Sequence, residues 1–328
     1  MKHVAVHGAG RIGRIHAANL AALPGVAVAH VCDPVAANAE SLAAQVGARA
    51  SSVETAFADP AVDAVIVASP TDTHSALIER AAAARKHIFC EKPVDLSAER
   101  AQACAAAVAA AGIGCMIGFQ RRFDPTFRAA KERLARGEIG APEMLVITSR
   151  DPGAPPVDYL KGSGGIFRDM LIHDFDVFRW ILEDEAQTVY ATGSCLTDPA
   201  IAAAGDIDSA AVTLRTKRGR LCQINTSRRA AYGYDQRFEV LGATGLLACG
   251  NHRPTEVLQL DASGVHADKP EHFFLQRYRD AYRLEIAHFF ECLQSGAPFR
   301  TTIVDGVAAQ RLADAAAESH ASARVVTL

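Results

Sequence analysis

Apolar and polar positions follow two different rhythms along this chain, and the change falls near residue 120. Before that point, short apolar runs alternate with helical patterns. The runs predict strands over 4–7, 26–32, 63–68, 87–90 and 113–117. The intervening stretches predict helices over 11–22, 35–46, 74–84 and 97–111. Strand–helix alternation argues for a parallel sheet covered on both faces. The helices are rich in alanine, whose small side chain allows close packing on a sheet.

Beyond residue 120 the pattern predicts a charged amphipathic helix over 121–140, a strand over 144–149 and a Pro/Gly-rich loop over 151–165. A largely apolar helix follows over 164–180. Residues 186–260 carry alternating runs (TVYATGSC, SAAVTLRTK, RLCQINTS, RFEVLG, GLLACG, EVLQL) without intervening helices, the mark of an antiparallel meander. Two helices over about 277–294 and 303–319 complete the chain. Two domains are expected, 1–119 and 120–328.

The helix over 164–180, GGIFRDMLIHDFDVFRW, raises a question. Residues four apart share a helix face, so Asp169 would lie one turn below His173, with Asp176 three residues further on. An acid and an imidazole on one stripe of an apolar helix suggest chemistry. An ordinary helical charge beside a core histidine fits the pattern as well.

Composition narrows the field. The chain has 328 residues, 49% hydrophobic and 22% charged, and a formal net charge of −3. That balance gives no electrostatic reason to expect nucleic acid or an anionic membrane, and no apolar run reaches the length of a membrane span. The N-terminus reads as a strand, not as a signal peptide. Eight scattered cysteines without a CxxC pair fit a reducing cytoplasm rather than a disulfide framework or a structural zinc site.

GAGRIG, residues 8–13, is G-x-G-x-x-G between a strand and a helix. Gly8 permits the tight turn, Gly10 lets a pyrophosphate approach the backbone, and Gly13 lets the helix pack on the strand. Arg11 and Ile12 complete the loop, and the helix N-terminus faces the phosphates. Asp33 ends the second strand, 20 residues after Gly13. An acid there accepts hydrogen bonds from an adenosine ribose and repels a 2′-phosphate, so NAD is expected rather than NADP. SPTDTH (69–74) and CEKP (90–93) follow the next two strands, where ligands bind in such sheets. Ser69, Thr71, His74, Glu91 and Lys92 are therefore candidate cofactor contacts. Thr73 as a helix cap and His74 as a surface residue are equally compatible. Lys92 could hydrogen-bond a substrate hydroxyl and stabilise an alkoxide; by position alone it could equally be a solvated loop lysine. Pro93 could be cis.

These motifs, in this order, resemble the glucose–fructose oxidoreductase / inositol dehydrogenase / MocA family. The resemblance continues through GFQRRFDPTF, GEIGAPEMLVITSRDP, GGIFRDMLIHDFD and RRAAYGYDQRFEV, where it is strongest with the family's bacterial inositol 2-dehydrogenases. It implies an α/β protein: an N-terminal Rossmann dinucleotide-binding domain, then a C-terminal α/β domain with a large, open, mostly antiparallel sheet. It also implies that Lys92, Asp169 and His173 form a catalytic group for NAD-dependent oxidation of a cyclic polyol such as myo-inositol.

The residue chemistry agrees with that implication. Histidine titrates near neutrality and suits a base. Asp169 can orient its ring, and Lys92 can steady the oxygen. No metal is expected, because no partnering cysteine or second histidine stands at ligand spacing. A polyol site needs hydrogen-bonding groups. Arg122, Asp158, Asp176, Tyr232 and Tyr234 are the further substrate candidates, the two tyrosines facing one side if they lie on a strand. Arg121 and Tyr159 are weaker ones. Gln120 stands where some relatives carry an apolar residue, which bears on substrate preference. Scyllo-inositol or a pyranose sugar as substrate, or a non-catalytic NAD-binding regulator, are the alternatives. An uncovered sheet face predicts a homo-oligomer, a tetramer by resemblance.

Overall fold

The computed structural model describes all 328 residues. Its first sheet is built from β1 (Lys2–His7), β2 (Val26–Cys32), β3 (Arg49–Ala50), β4 (Ala64–Val67), β5 (His87–Glu91) and β6 (Cys115–Gly118). Every neighbouring pair is parallel, in the order β3-β2-β1-β4-β5-β6. Ala64–Val67 and Cys115–Gly118 are buried at every position, as strands covered on both faces must be. The strand order reverses between β1 and β4, and the crevice at that switch point is where such sheets take ligands. The predicted strands and helices of this region are all present, with boundaries within two residues. The two-residue β3 and the helix Val53–Ala58 were too short to give a periodic signal.

The second sheet contains β7 (Pro142–Arg150), β8 (Ala186–Ser194), β9 (Ser209–Thr216), β10 (Leu221–Ser227), β11 (Asp235–Gly242) and β12 (Gly245–Cys249). β13 (Leu258–Asp261) and β14 (Gly264–Ala267) pair only with each other, and β15 (Val326–Thr327) completes the large sheet beside β8. The order is β12-β11-β7-β10-β9-β8-β15, antiparallel throughout except for β7 and β10. Residues 186–260 are therefore not one continuous meander: β7 is inserted between β10 and β11, and EVLQL leaves the sheet for a small exposed hairpin. Along β9–β12 buried and exposed residues alternate. Val212, Leu214, Cys222, Ile224, Phe238 and Val240 face a core shared with Phe175, Phe178 and Leu182 and with Leu312, Ala313 and Ala316. The opposite face carries Leu221, Leu241 and Leu246 in solvent.

Two expectations on the segment before that core are corrected. Residues 151–165 contain a helix, Val157–Ser163. The apolar helix over 164–180 is two helices, Gly165–Asp169 and Ile172–Leu182. The first ends where Leu171 N bonds back to Ile166 O (3.0 Å), and Leu171 O then receives both Asp174 N and Phe175 N at 2.9 Å. Asp169 and His173 therefore lie on either side of an elbow, not on one helical stripe.

The chain forms two compact units. The first comprises residues 1–123 and 280–311, the second 124–279 and 312–328. The first thus takes back a late part of the chain, including most of helix Arg279–Ser295.

Candidate active site

In the first unit the glycine turn divides its duties. Gly8 has φ +102°, and a Cβ there would lie 2.5 Å from Ala68 O. A Cβ on Gly13 would lie 1.9 Å from Gly8 O. The protein itself requires both glycines. At Gly10 a Cβ would meet nothing within 4 Å, and no side chain caps the helix Arg11–Ala21 that begins beside it. Open space in front of uncapped N–H groups is what a pyrophosphate needs. Asp33 ties the turn to the end of β2: it accepts from Ala9 N at 2.7 Å and from Val35 N at 2.9 Å. Its carboxylate keeps acceptor capacity for a ribose. The residues present fit a dinucleotide.

Ser69, Thr71 and His74 follow β4. Ser69 Oγ lies 2.6 Å from Thr73 Oγ1, and Thr71 opens a single 3-10 turn. His74 is buried, with Nδ1 2.7 Å from Pro93 O and Nε2 2.9 Å from Ser69 O. It clasps the two strand-end loops together instead of lying on the surface. Burial pushes its pKa down against the pull of the two carbonyls. Lys92 directly follows β5, half-buried, and the Lys92–Pro93 bond is cis. Arg122 is buried and donates to Arg300 O (2.9 Å) and Asp305 Oδ1 (3.0 Å). Those bonds give it a pinning role in this unit. The neighbouring Gln120 and Arg121 are buried too.

In the second unit the elbow residues are held by groups that no motif announces. Arg228, 1% exposed, donates to Asp206 Oδ2 at 3.0 Å and to Asp169 Oδ2 at 3.4 Å. Tyr159 donates its hydroxyl to Asp169 Oδ1 at 2.8 Å. Burial of that hydroxyl and the adjacent Asp169 charge push the phenol's pKa up. Asp206 also accepts from Ile166 N at 3.0 Å, supporting the helix that delivers Asp169. Neither Arg228 nor Asp206 was expected, because one strand-end arginine and one loop acid leave no periodic trace. Asp176 is buried one turn beyond His173, which is partly exposed as the second residue of its helix.

The other substrate candidates diverge. Asp158 points to solvent and pairs with Lys161 (2.9 Å). Tyr232 and Tyr234 precede β11 instead of lying on a strand, and Gly233 between them has φ +126°. Tyr232 is exposed; its hydroxyl accepts from Arg150 (2.8 Å) and donates to Asp235 (2.6 Å). Tyr234 is buried edge-on against Phe273 and Tyr278. Arg150, Asn225, Ser227, Arg229 and Tyr232 border a wide depression of about 510 Å³ that includes neither Asp169 nor His173.

A parallel sheet in this strand order, with an open glycine turn at its switch point and an acid closing β2, defines a dinucleotide-binding protein. Comparison with known proteins gives the class its content. Residues 2–119 match the NAD-binding Rossmann fold of an oxidoreductase family, GFO_IDH_MocA, and residues 131–328 match that family's C-terminal alpha/beta domain. The chain belongs to this family of oxidoreductases, and its cofactor is NAD. It is 46% identical to an inositol 2-dehydrogenase of Rhizobium meliloti, over 98% of this chain and 97% of that one. Identity to a scyllo-inositol 2-dehydrogenase (NAD(+)) of Bacillus subtilis is 38%, over 99% and 95%. Among solved structures, a myo-inositol dehydrogenase from Corynebacterium glutamicum superposes with a TM-score of 0.96 at 44% identity, covering 100% of this chain and 99% of that one. A myo-inositol dehydrogenase from Lactobacillus casei, solved with NAD(H) and myo-inositol, gives 0.89 at 28% identity, over 100% and 97%. No helix is long and apolar enough to cross a membrane.

Proposed function

We propose that this protein oxidises the axial hydroxyl of myo-inositol to the 2-keto product with NAD. The observation that carries the reading is the 46% identity, over nearly the whole of both chains, to an inositol 2-dehydrogenase. The geometry of the second unit supports it. Tyr159 and Arg228 fix Asp169 at the elbow that also carries His173.

In this reading His173 takes the hydroxyl proton as general base. Asp169, held by two donors, stays an acceptor and stabilises the imidazolium that forms. Lys92 steadies the substrate oxygen as charge develops on it. NAD, when bound, supplies the hydride acceptor. Gly8, Gly10, Arg11, Ile12, Gly13, Asp33, Ser69, Thr71 and Glu91 hold the cofactor, with His74 behind the loops. Arg122, Asp158, Asp176, Tyr232 and Tyr234 are assigned to the polyol in this reading.

Residues 1–119 serve the cofactor, and residues 120–328 serve substrate binding and assembly. A tetramer would cover the exposed face of the large sheet at Leu221, Leu241 and Leu246; monodisperse monomer in light scattering at micromolar concentration would refute it. The eight free thiols fit the cytoplasm.

The test is reduced-nicotinamide absorbance with myo-inositol, scyllo-inositol and glucose, repeated with Lys92→Ala and His173→Ala. Turnover on myo-inositol that both substitutions abolish supports the reading. Turnover on scyllo-inositol or glucose alone replaces the substrate. NAD binding without turnover leaves the non-catalytic regulator.

A further inference from the structure

Behind the Lys92 strand end, Glu91 meets two buried residues, His16 and Glu285, to which the proposed reaction assigns no role. His16, Glu91 and Glu285 come from helix Arg11–Ala21, β5 and helix Arg279–Ser295, all in the first unit, and they bring their polar atoms within 4.8 Å of one another. His16 and Glu285 are 0% exposed. His16 Nε2 lies 2.6 Å from Glu91 Oε1. Neither carboxyl oxygen of Glu285 has a hydrogen-bond partner, nor does His16 Nδ1. A buried carboxylate facing a second carboxylate without a compensating donor is not a stable arrangement. Something must neutralise it, either a cation or a proton.

The geometry points to the proton. Two donors on one zinc ion, each at about 2.1 Å and tetrahedrally disposed, stand roughly 3.4 Å apart. His16 Nε2 and Glu91 Oε1 are closer than that and already share a hydrogen. We propose that Glu285 is a neutral carboxylic acid that donates its proton to Glu91, and that Glu285 and His16 together position the strand end bearing Lys92. Burial, and after it the charge of Glu91, pushes the Glu285 pKa well up.

Around this pair the fold leaves a fitted space. A Cβ on Gly118 of β6 would press to 3.1 Å on the Glu91 carboxyl group. On the far side of Lys92, His74 Nδ1 grips Pro93 O at 2.7 Å. The segment 91–93 is thus fastened at both ends, with Lys92 between. The ionisable groups facing Glu285 are His16 and Glu91; the charges of Glu91 and Lys92 in turn act on His74. Glu285 acts through Glu91, so it is a positioning residue. The kinetic part of this inference rests on the proposed role of Lys92.

The experiment combines infrared spectroscopy of the full-length protein, without substrate, with steady-state kinetics. Wild type at neutral pH is expected to show the carbonyl stretch of a protonated carboxylic acid that is missing from Glu285→Gln. Glu285→Leu is expected to lower kcat roughly 10- to 100-fold, the effect of misplacing a reacting group by the order of an ångström, with KM for NAD little changed. Glu285→Gln, whose amide still donates to Glu91, is expected to recover most of that turnover. Absence of the band, or one stoichiometric bound metal ion lost in both variants, overturns the proton. A kcat for Glu285→Leu equal to wild type, or no recovery in Glu285→Gln, overturns the positioning. Should Lys92→Ala keep full turnover, the functional reading fails, while the band, read without substrate, still decides the state of Glu285.

Discussion

Arg228 reaches Asp169 from a site with 1% exposure, 3.4 Å from guanidinium to carboxylate, and spends its other arm on Asp206. One cation thereby supports both the residue proposed to polarise the base and the residue that supports its helix. Removing one partner of a buried ion pair leaves the others charged and unpaired. Arg228→Met is expected to lower stability by about 3 kcal/mol and to abolish turnover, whereas Arg228→Lys keeps the fold. Urea unfolding alongside activity separates the two effects.

Tyr159 should behave differently. The residue is 53% exposed, and its hydroxyl bonds Asp169. Tyr159→Phe is expected to change the unfolding midpoint little and to lower kcat roughly five-fold, equivalent to about 1 kcal/mol. An unchanged kcat would remove Tyr159 from the site.

The glycine turn gives a contrast within one motif. Gly13→Ala must push against Gly8 O, so it is expected to lower the melting temperature and NAD affinity together. Gly10→Ala places its methyl in open space. It should melt as the wild type does and still bind NAD more weakly, because the methyl stands where the phosphates approach. Calorimetric titration with NAD and a thermal scan of each variant test this.

Asp33 is expected to set the preference for NAD. Asp33→Ser removes the charge that repels a 2′-phosphate but also a partner of Ala9 N. The ratio of kcat/KM for NAD over NADP should fall about ten-fold or more, a difference of about 1.4 kcal/mol, with NAD itself used less well.

His7 predicts an acid-sensitive fold. It ends β1, stacks on Phe57 with ring centroids 4.9 Å apart, and both ring nitrogens are buried without a partner. Burial first, then the nearby Arg80 and His30 charges, pulls its pKa down from 6.5 to about 4. Between those values the unfolded chain binds a proton that the folded one refuses, so stability is full above about 6.5 and falls as the pH drops towards 4. The contribution lost between about pH 7 and pH 5 is about 2 kcal/mol. His7→Phe keeps the stacking and should flatten that part of the stability–pH curve by this amount.

The sequence disclosed what periodicity and fixed spacing can carry. The parallel sheet, the glycine turn and Asp33 were legible because a strand, a turn and a helix must follow one another within a few residues. The elbow at Met170–Leu171 was not, since apolar residues run straight through it and the break lies in backbone bonds to Ile166 and Leu171. The insertion of β7 between β10 and β11 was hidden as well: alternation shows which face a residue takes, not which strand stands beside it. Arg228, Asp206, His16 and Glu285 matter through contacts 22 to 75 or more residues away along the chain, and no local pattern marks them.

The return of residues 280–311 to the first unit also bears on how the molecule is made. Helix Arg279–Ser295 supplies Phe289, whose ring lies 6.0 Å from that of Phe89, and Tyr282, 5.9 Å from the ring of His16. While the ribosome is still translating the second sheet, the first unit has its strands but lacks this apolar cover and Glu285. It cannot finish before nearly all of the chain has been synthesised, and a fragment ending near residue 270 would lack the rings of Phe289 and Tyr282 that pack on Phe89 and His16.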